Sequence, residues 1–115
     1  MQQITLTSST INAAGPVAGS AQSTAPIGSS DYTVTVEIVG MSGSSLRIGI
    51  EDSPDGSAWS PFNVWEIAGS SSQQAFNVRK YNAPGLQTGA NAKARVNVYA
   101  ISGSAQVNAS IGYPE

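Results

Sequence analysis

The 115-residue sequence contains no cysteine and no histidine. Without cysteine there is neither a disulfide framework nor a thiolate metal site, so the chain must hold itself by packing and strand pairing. Without histidine the commonest general base and the commonest metal ligand are both missing. A nucleophilic serine would have no imidazole to activate it, and a Ser–Lys pairing carries little weight in a chain so rich in serine. Charge is scarce as well. Charged residues are 10% of the sequence, against roughly 25% in an average soluble protein. Arg47, Arg79, Lys80, Lys93 and Arg95 are outnumbered by 7 acids, which leaves no dense basic patch for nucleic acid. No apolar run approaches the about 18 residues of a membrane span. The start, Met1 to Leu6, lacks the basic region and apolar core of a signal peptide. These absences predict a non-enzymatic protein made in the cytoplasm, with no cofactor, metal, nucleic acid or membrane as partner.

What remains is a sequence of small polar residues interrupted by strand-like alternation. The net charge of −2 and the 40% hydrophobic share do not fit the low-hydrophobicity, high-charge signature of disorder. The length suits one domain with one modest core. Tyr32, Val34, Val36 and Ile38 alternate with Thr33, Thr35, Glu37 and Val39, and Leu46, Ile48 and Ile50 alternate with Arg47, Gly49 and Glu51. Alternation of this kind marks half-buried strands. The turn-like linker Gly40 to Ser45 predicts a hairpin pairing Val36 with Ile48, Val34 with Ile50, and Glu37 with Arg47. A second hairpin is predicted through Ser102-Gly103, where glycine takes the positive φ. It pairs the row Ala92, Ala94, Val96, Val98 and Ala100 with the row Ala105, Val107, Ala109 and Ile111. Lys93, Arg95, Asn97 and Tyr99 then point outward. Gln3 to Thr7 and Gln74 to Arg79 also read as strands, and Pro61 places Trp59 to Ile67 at an edge or bend. Residues 1–30 read as a strand followed by an extended Ser/Ala/Gly-rich arm with one short strand ending near Ile27. Residues 31–115 read as the core of an all-β sandwich, jelly-roll or immunoglobulin-like.

Two clusters invite a chemical reading. Asp52 and Asp55 in Glu51-Asp52-Ser53-Pro54-Asp55-Gly56 have the oxygens a calcium ion wants, but not the EF-hand spacing. The same residues make a strong β-turn, with Pro54 setting φ, Asp55 bonding its own backbone and Gly56 left-handed. The turn is the better reading, with Trp59 folded back over it. Trp59, Phe62 and Trp65 have the area of a sugar-binding platform, yet a sandwich with so few large residues needs aromatics inside. Asn108-Ala109-Ser110 matches a glycosylation sequon and reads as ordinary strand.

One pattern is more distinctive. A short opening strand and a Ser/Ala/Gly-rich segment precede Asp31-Tyr32-Thr33-Val34-Thr35-Val36-Glu37-Ile38. A later strand runs into Glu51-Asp52-Ser53-Pro54-Asp55-Gly56-Ser57-Ala58-Trp59, an SPDG-x-W type turn. Val78-Arg79-Lys80-Tyr81, Ala94-Arg95-Val96-Asn97-Val98 and a final strand follow. Over most of its length the chain resembles small structural proteins of tailed-bacteriophage virions. It departs from them in its long Pro84 to Asn91 loop and its very polar arm. The resemblance implies a virion component, with capsid decoration ahead of a tail, neck or host-recognition fibre module. It also implies a homo-oligomer, a trimer among the options, bound to the major capsid protein or other virion proteins. Pro16 and Pro26 in the arm and Pro84, Leu86 and Gln87 in the loop are the expected partner contacts. Pro54, Asp55, Gly56 and Trp59 form the expected structural turn. A carbohydrate-binding sandwich using Trp59 and Trp65 is the alternative from another class.

Overall fold

The computed structural model describes residues 2–28, 31–68, 73–80 and 86–114, with the backbone alone for Ala68 and Gln73–Lys80. Pro84 therefore lies outside the described residues. In chain order the strands are β1 (Gln2–Ile11), β2 (Gly15–Pro16), β3 (Gln22–Ser23), β4 (Tyr32–Ser53), β5 (Ser60–Ala68), β6 (Gln73–Lys80) and β7 (Lys93–Tyr113). A 3₁₀ turn occupies Ala25–Ile27.

Two long strands organise everything else. β4 has 22 residues and β7 has 21, and they pair antiparallel from Thr33↔Gly112 to Ser53↔Lys93. At about 3.3 Å per residue such a ribbon would run about 70 Å if straight. The longest dimension of the molecule is 38 Å, so the ribbon folds back on itself. Register irregularities between Val39 and Met41, Ser42 and Ser45, and Arg47 and Ile48 mark the corner, as bulges do where strands bend. There Gly43 and Gly103 touch backbone to backbone. A Cβ on either would lie 1.8 Å from a carbonyl oxygen of the other strand, Ser102 or Ser42. Both also take positive φ, 124° and 84°, which L side chains resist.

Folding the ribbon makes two layers. One holds β1, the second half of β7, the first half of β4, and β6. The other holds β2 with β3, the first half of β7, the second half of β4, and β5. A folded antiparallel ribbon wrapped in this order is a jelly roll, which decides between the two sandwiches open to the sequence. Between the layers lie Val34, Val36, Ile38, Leu46, Ile48, Ile50, Val96, Val98, Val107 and Ile111, all within 2% of complete burial. Each such side chain contributes about 1.5–3 kcal/mol relative to exposure.

The apolar rows expected from alternation are the rows that are buried, apart from exposed Ala100. Their expected partners are not the observed ones. Neither hairpin exists. Val34 pairs with Ile111, Val36 with Ala109, Ile48 with Val98 and Ile50 with Val96. Glycine chemistry that reads as chain reversal serves here to bend a continuous ribbon. Glu37 consequently pairs in register with Asn108 rather than Arg47, and Arg47 bonds Glu66 on β5, 3.3 Å away.

The expected arm is extended in path but is docked rather than projecting. β1, β2 and β3 pair in turn with the outer edge of β7, at Tyr113 to Ala105, at Val98 and Asn97, and at Ala94 and Lys93. Ser20 is fully buried, its Oγ bonding both the N–H and the carbonyl of Val96, and Ile27 enters the core. A chain poor in large residues anchors here through backbone pairing and small hydroxyls.

Candidate functional site

Because the ribbon folds, both ends of β4 and both ends of β7 lie at the end of the sandwich opposite the corner. The segment Glu51 to Trp59 is built there, and its bonds explain its shape. Ser53 Oγ accepts from the backbone N–H of Gly56 at 2.8 Å and of Asp55 at 3.3 Å, and donates to Asp55 Oδ1 at 3.0 Å. Asp55 Oδ1 also accepts the N–H groups of Ser57 at 2.8 Å and Ala58 at 3.0 Å. These backbone donors, Ala58 and then Ser57, with the Ser53 hydroxyl, hold the Asp55 carboxyl below the usual aspartate value. Gly56 sits at φ 81°. The segment is a self-capped turn, as the sequence indicated. Among the described residues no cluster of three or more acidic side chains could hold a metal ion.

Asp52 ties the turn to the loop before β7, accepting the Gln87 N–H on Oδ2 at 2.9 Å. Thr24 donates its hydroxyl to the Gln87 carbonyl, and Thr88 donates to the Gly28 carbonyl at 2.7 Å. Tyr32 OH accepts the Leu86 N–H at 2.7 Å, and its ring meets Phe62 at 6.3 Å. Burial, ahead of all other causes, raises the Tyr32 pKa. Three loops are thereby strapped together. Of the expected partner contacts, Pro26 and Gln87 are exposed at this end. Pro16 is exposed on β2, opposite Asn97 and away from it. Leu86 is only 8% exposed and belongs to the core, so it is not a surface contact. Its apolar side chain faces the sandwich while its N–H caps Tyr32.

The most heavily built feature is one that residue-by-residue reading missed. On the outer face of the β5 layer, Glu51 is 6% exposed. Its Oε1 accepts Arg95 Nε at 2.9 Å, with Arg95 Nη2 2.8 Å away. Its Oε2 accepts Tyr99 OH at 2.7 Å and Asn97 Nδ2 at 3.1 Å. The Arg95 guanidinium lies 4.1 Å from the Trp59 ring centroid, within cation–π range. Arg47 lies over Tyr99 at 5.6 Å. Burial pushes the Glu51 carboxyl up, but the hydrogen bonds from Tyr99, Arg95 and Asn97 and the Arg95 charge outweigh it, leaving a lowered pKa. Tyr99 is pushed up to about 12 by burial, then by its bond to Glu51 and that group's charge. Asn97 Oδ1 is buried without a hydrogen-bond partner.

Trp59 covers the Arg95 guanidinium. Phe62 and Trp65 pack against the core from partly buried positions, as expected of aromatics in a small sandwich. Lys93, Arg95, Asn97 and Tyr99 do line the outer row, but their partner is β4, in the pair Glu51↔Arg95. That register was the missing signal.

No family model and no curated protein matches the sequence. Among solved structures, the chain is similar to the CBM36-1 domain of a multidomain xylanase from the hindgut metagenome of Trinervitermes trinervoides. The TM-score is 0.54 at 12% identity, over 99% of this chain and 98% of that one. At that identity the likeness is one of fold, and it agrees with an all-β sandwich.

Proposed function

We propose that this chain is a non-enzymatic structural protein of a tailed-phage virion, docking on the capsid surface as a decoration or stabilising protein. The observation that carries the reading is the bracing of Glu51 to Trp59, the segment in which the resemblance to such proteins is concentrated. Glu51, Asp52 and Asp55 are each spent on fixing its shape, which suits a rigid contact end more than a reacting one. Jelly rolls recur in capsid proteins, an analogy of fold and not of site. Pro26 and Gln87, exposed beside the braced turn, are the contacts this reading assigns. The test mixes purified protein with undecorated capsids of its own virus and examines them by cryo-EM. Saturable, symmetric density with the Pro26/Gln87 end against the shell is expected. Absence of binding, or density only on the tail, overturns it.

A carbohydrate-binding sandwich is the second reading, favoured by the half-buried Trp59 and by the carbohydrate-binding module among fold neighbours. Trp59 stacks on Arg95 and keeps part of its surface in solvent, where a sugar could be met. Glycan titration followed by tryptophan fluorescence decides it: a saturable change lost in Trp59→Ala supports sugar binding, and an unchanged spectrum across a glycan panel removes it.

A further inference from the structure

The sheet edges of this molecule are not equally protected. β5 carries Pro61 and Glu66, with a bulge in its pairing between Ile50 and Glu51. β2 and β3 are two residues each, and β2 includes Pro16. The sequence of β6 ends in Arg79-Lys80. Prolines, charges, bulges and shortness are the usual means of blocking strand addition at an edge. β1 is ten residues long and has no proline, no glycine and no charged side chain. Among the described residues it pairs with β7 alone. Its one irregularity falls between Thr5 and Thr7, leaving Thr7–Ile11 in unbroken register with Ala109 to Ala105.

We infer that the outer edge of Thr7–Ile11 pairs antiparallel with the same segment of a second copy of this chain. A two-fold interface brings each residue against its own neighbours, so a like-charged edge repels itself and an uncharged one does not. β1 meets that condition, whereas Glu66 on β5 and Arg79-Lys80 on β6 do not. Pairing centred on Ser9 places Ser8 of one copy opposite Thr10 of the other, and Thr7 opposite Ile11. The exposed hydroxyls of Ser8 and Thr10 already donate inward, to Asn108 and Gln106. Each hydroxyl has one proton, already given within its own chain, so Ser8 and Thr10 meet across the two-fold as small uncharged neighbours, and the new hydrogen bonds are those of the two backbones. The two β1 layers then join into one continuous sheet. This dimer is a property of the purified chain and stands apart from the capsid reading. It gives the expected homo-oligomer a two-fold rather than three-fold geometry.

Sedimentation equilibrium of the full chain over a concentration series tests it, with hydrogen exchange read on the same samples. Wild type should pass from monomer to dimer, and amides within Thr7–Ile11 should gain protection as concentration rises. The double variant Ser8→Lys/Thr10→Lys sets ammonium groups opposite each other twice across the two-fold. It should weaken the dimer by more than about tenfold while its melting temperature matches wild type at the dilute end of the series, where both are monomeric. Ser60→Lys, on the edge of β5, should dimerise normally. Overturning results are a wild type monomeric throughout, or a double variant that associates as wild type does. A dimer or trimer protected elsewhere than Thr7–Ile11 also overturns it, and that exchange readout holds even if the double variant fails to fold.

Discussion

The two layers share one core but finish their outer faces in opposite ways. On the β1 layer the side-chain bonds form a chain open to water, uncharged until it ends on Glu37. Thr10 donates to Gln106, Ser8 and Gln106 to Asn108, and Asn108 to Glu37 at 3.1 Å. Every one of these residues keeps some exposure. On the β5 layer the bonds converge on a single buried carboxylate, Glu51, under a lid of Arg95, Trp59 and Tyr99. Hydrogen bonds made in water contribute little net stability, whereas a buried charge is costly to leave unpaired. The contrast assigns the faces different jobs. The β5 face fixes the turn and the loop end, and the β1 face stays open and adaptable.

The largest effect should come from Glu51→Ala. Removing the carboxylate strands Arg95, Tyr99 and Asn97 without their acceptor, and breaking a buried pair costs about 3 kcal/mol or more. Urea unfolding should show that loss. Near-UV circular dichroism should show Trp59 losing its fixed environment, because the guanidinium beneath it is held by Glu51. A loss under about 1 kcal/mol would mean that the face is ordinary solvated surface.

A smaller effect is expected from pH. The Glu51 carboxyl titrates below its unfolded value of 4.5 in the folded chain. Its contribution is therefore complete above that pH and disappears as pH falls through the folded pKa. Tyr99 behaves in the opposite sense. Its folded pKa of about 12 exceeds the unfolded 10.0, so its contribution is complete below pH 10.0 and is lost as pH rises toward about 12. Stability measured against pH should fall at both ends, and Glu51→Gln should flatten both falls. A Gln variant with the wild-type profile would locate the titrating groups elsewhere.

The contrast also shows what the sequence made legible. Alternation identified the buried rows, because a side chain's face depends only on local parity: Val34, Val36, Ile48, Val96 and Val107 all follow it. The Ser53-to-Gly56 turn was equally readable, since Ser53 and Asp55 satisfy neighbouring backbone within three residues. Pairing is non-local and was not readable. Gly43 and Gly103 suit a reversal as well as a bend, and only a 60-residue separation brought into contact distinguishes them. Once the ribbon was read as two hairpins, Glu51 and Arg95, 44 positions apart, had no reason to meet. The docked arm was missed for the same cause: backbone pairing to β7 leaves no apolar signature in Gly15, Pro16, Gln22 or Ser23.

The smallest effect is expected where the β1 face carries its one acid among these cross-strand bonds. Among the described residues Glu37 accepts one side-chain bond, from Asn108, and it is partly open to solvent. Glu37→Gln keeps an acceptor of the same reach and removes a charge that water already stabilises. Its unfolding free energy should lie within about 0.5 kcal/mol of wild type, and the variant should leave near-UV dichroism unchanged. Should Glu37→Gln cost as much as Glu51→Ala, the hydroxyl and amide chain would be a brace and not an open face. The division between the layers would then reduce to one of composition, since neutral side chains and buried ions would be doing the same structural work.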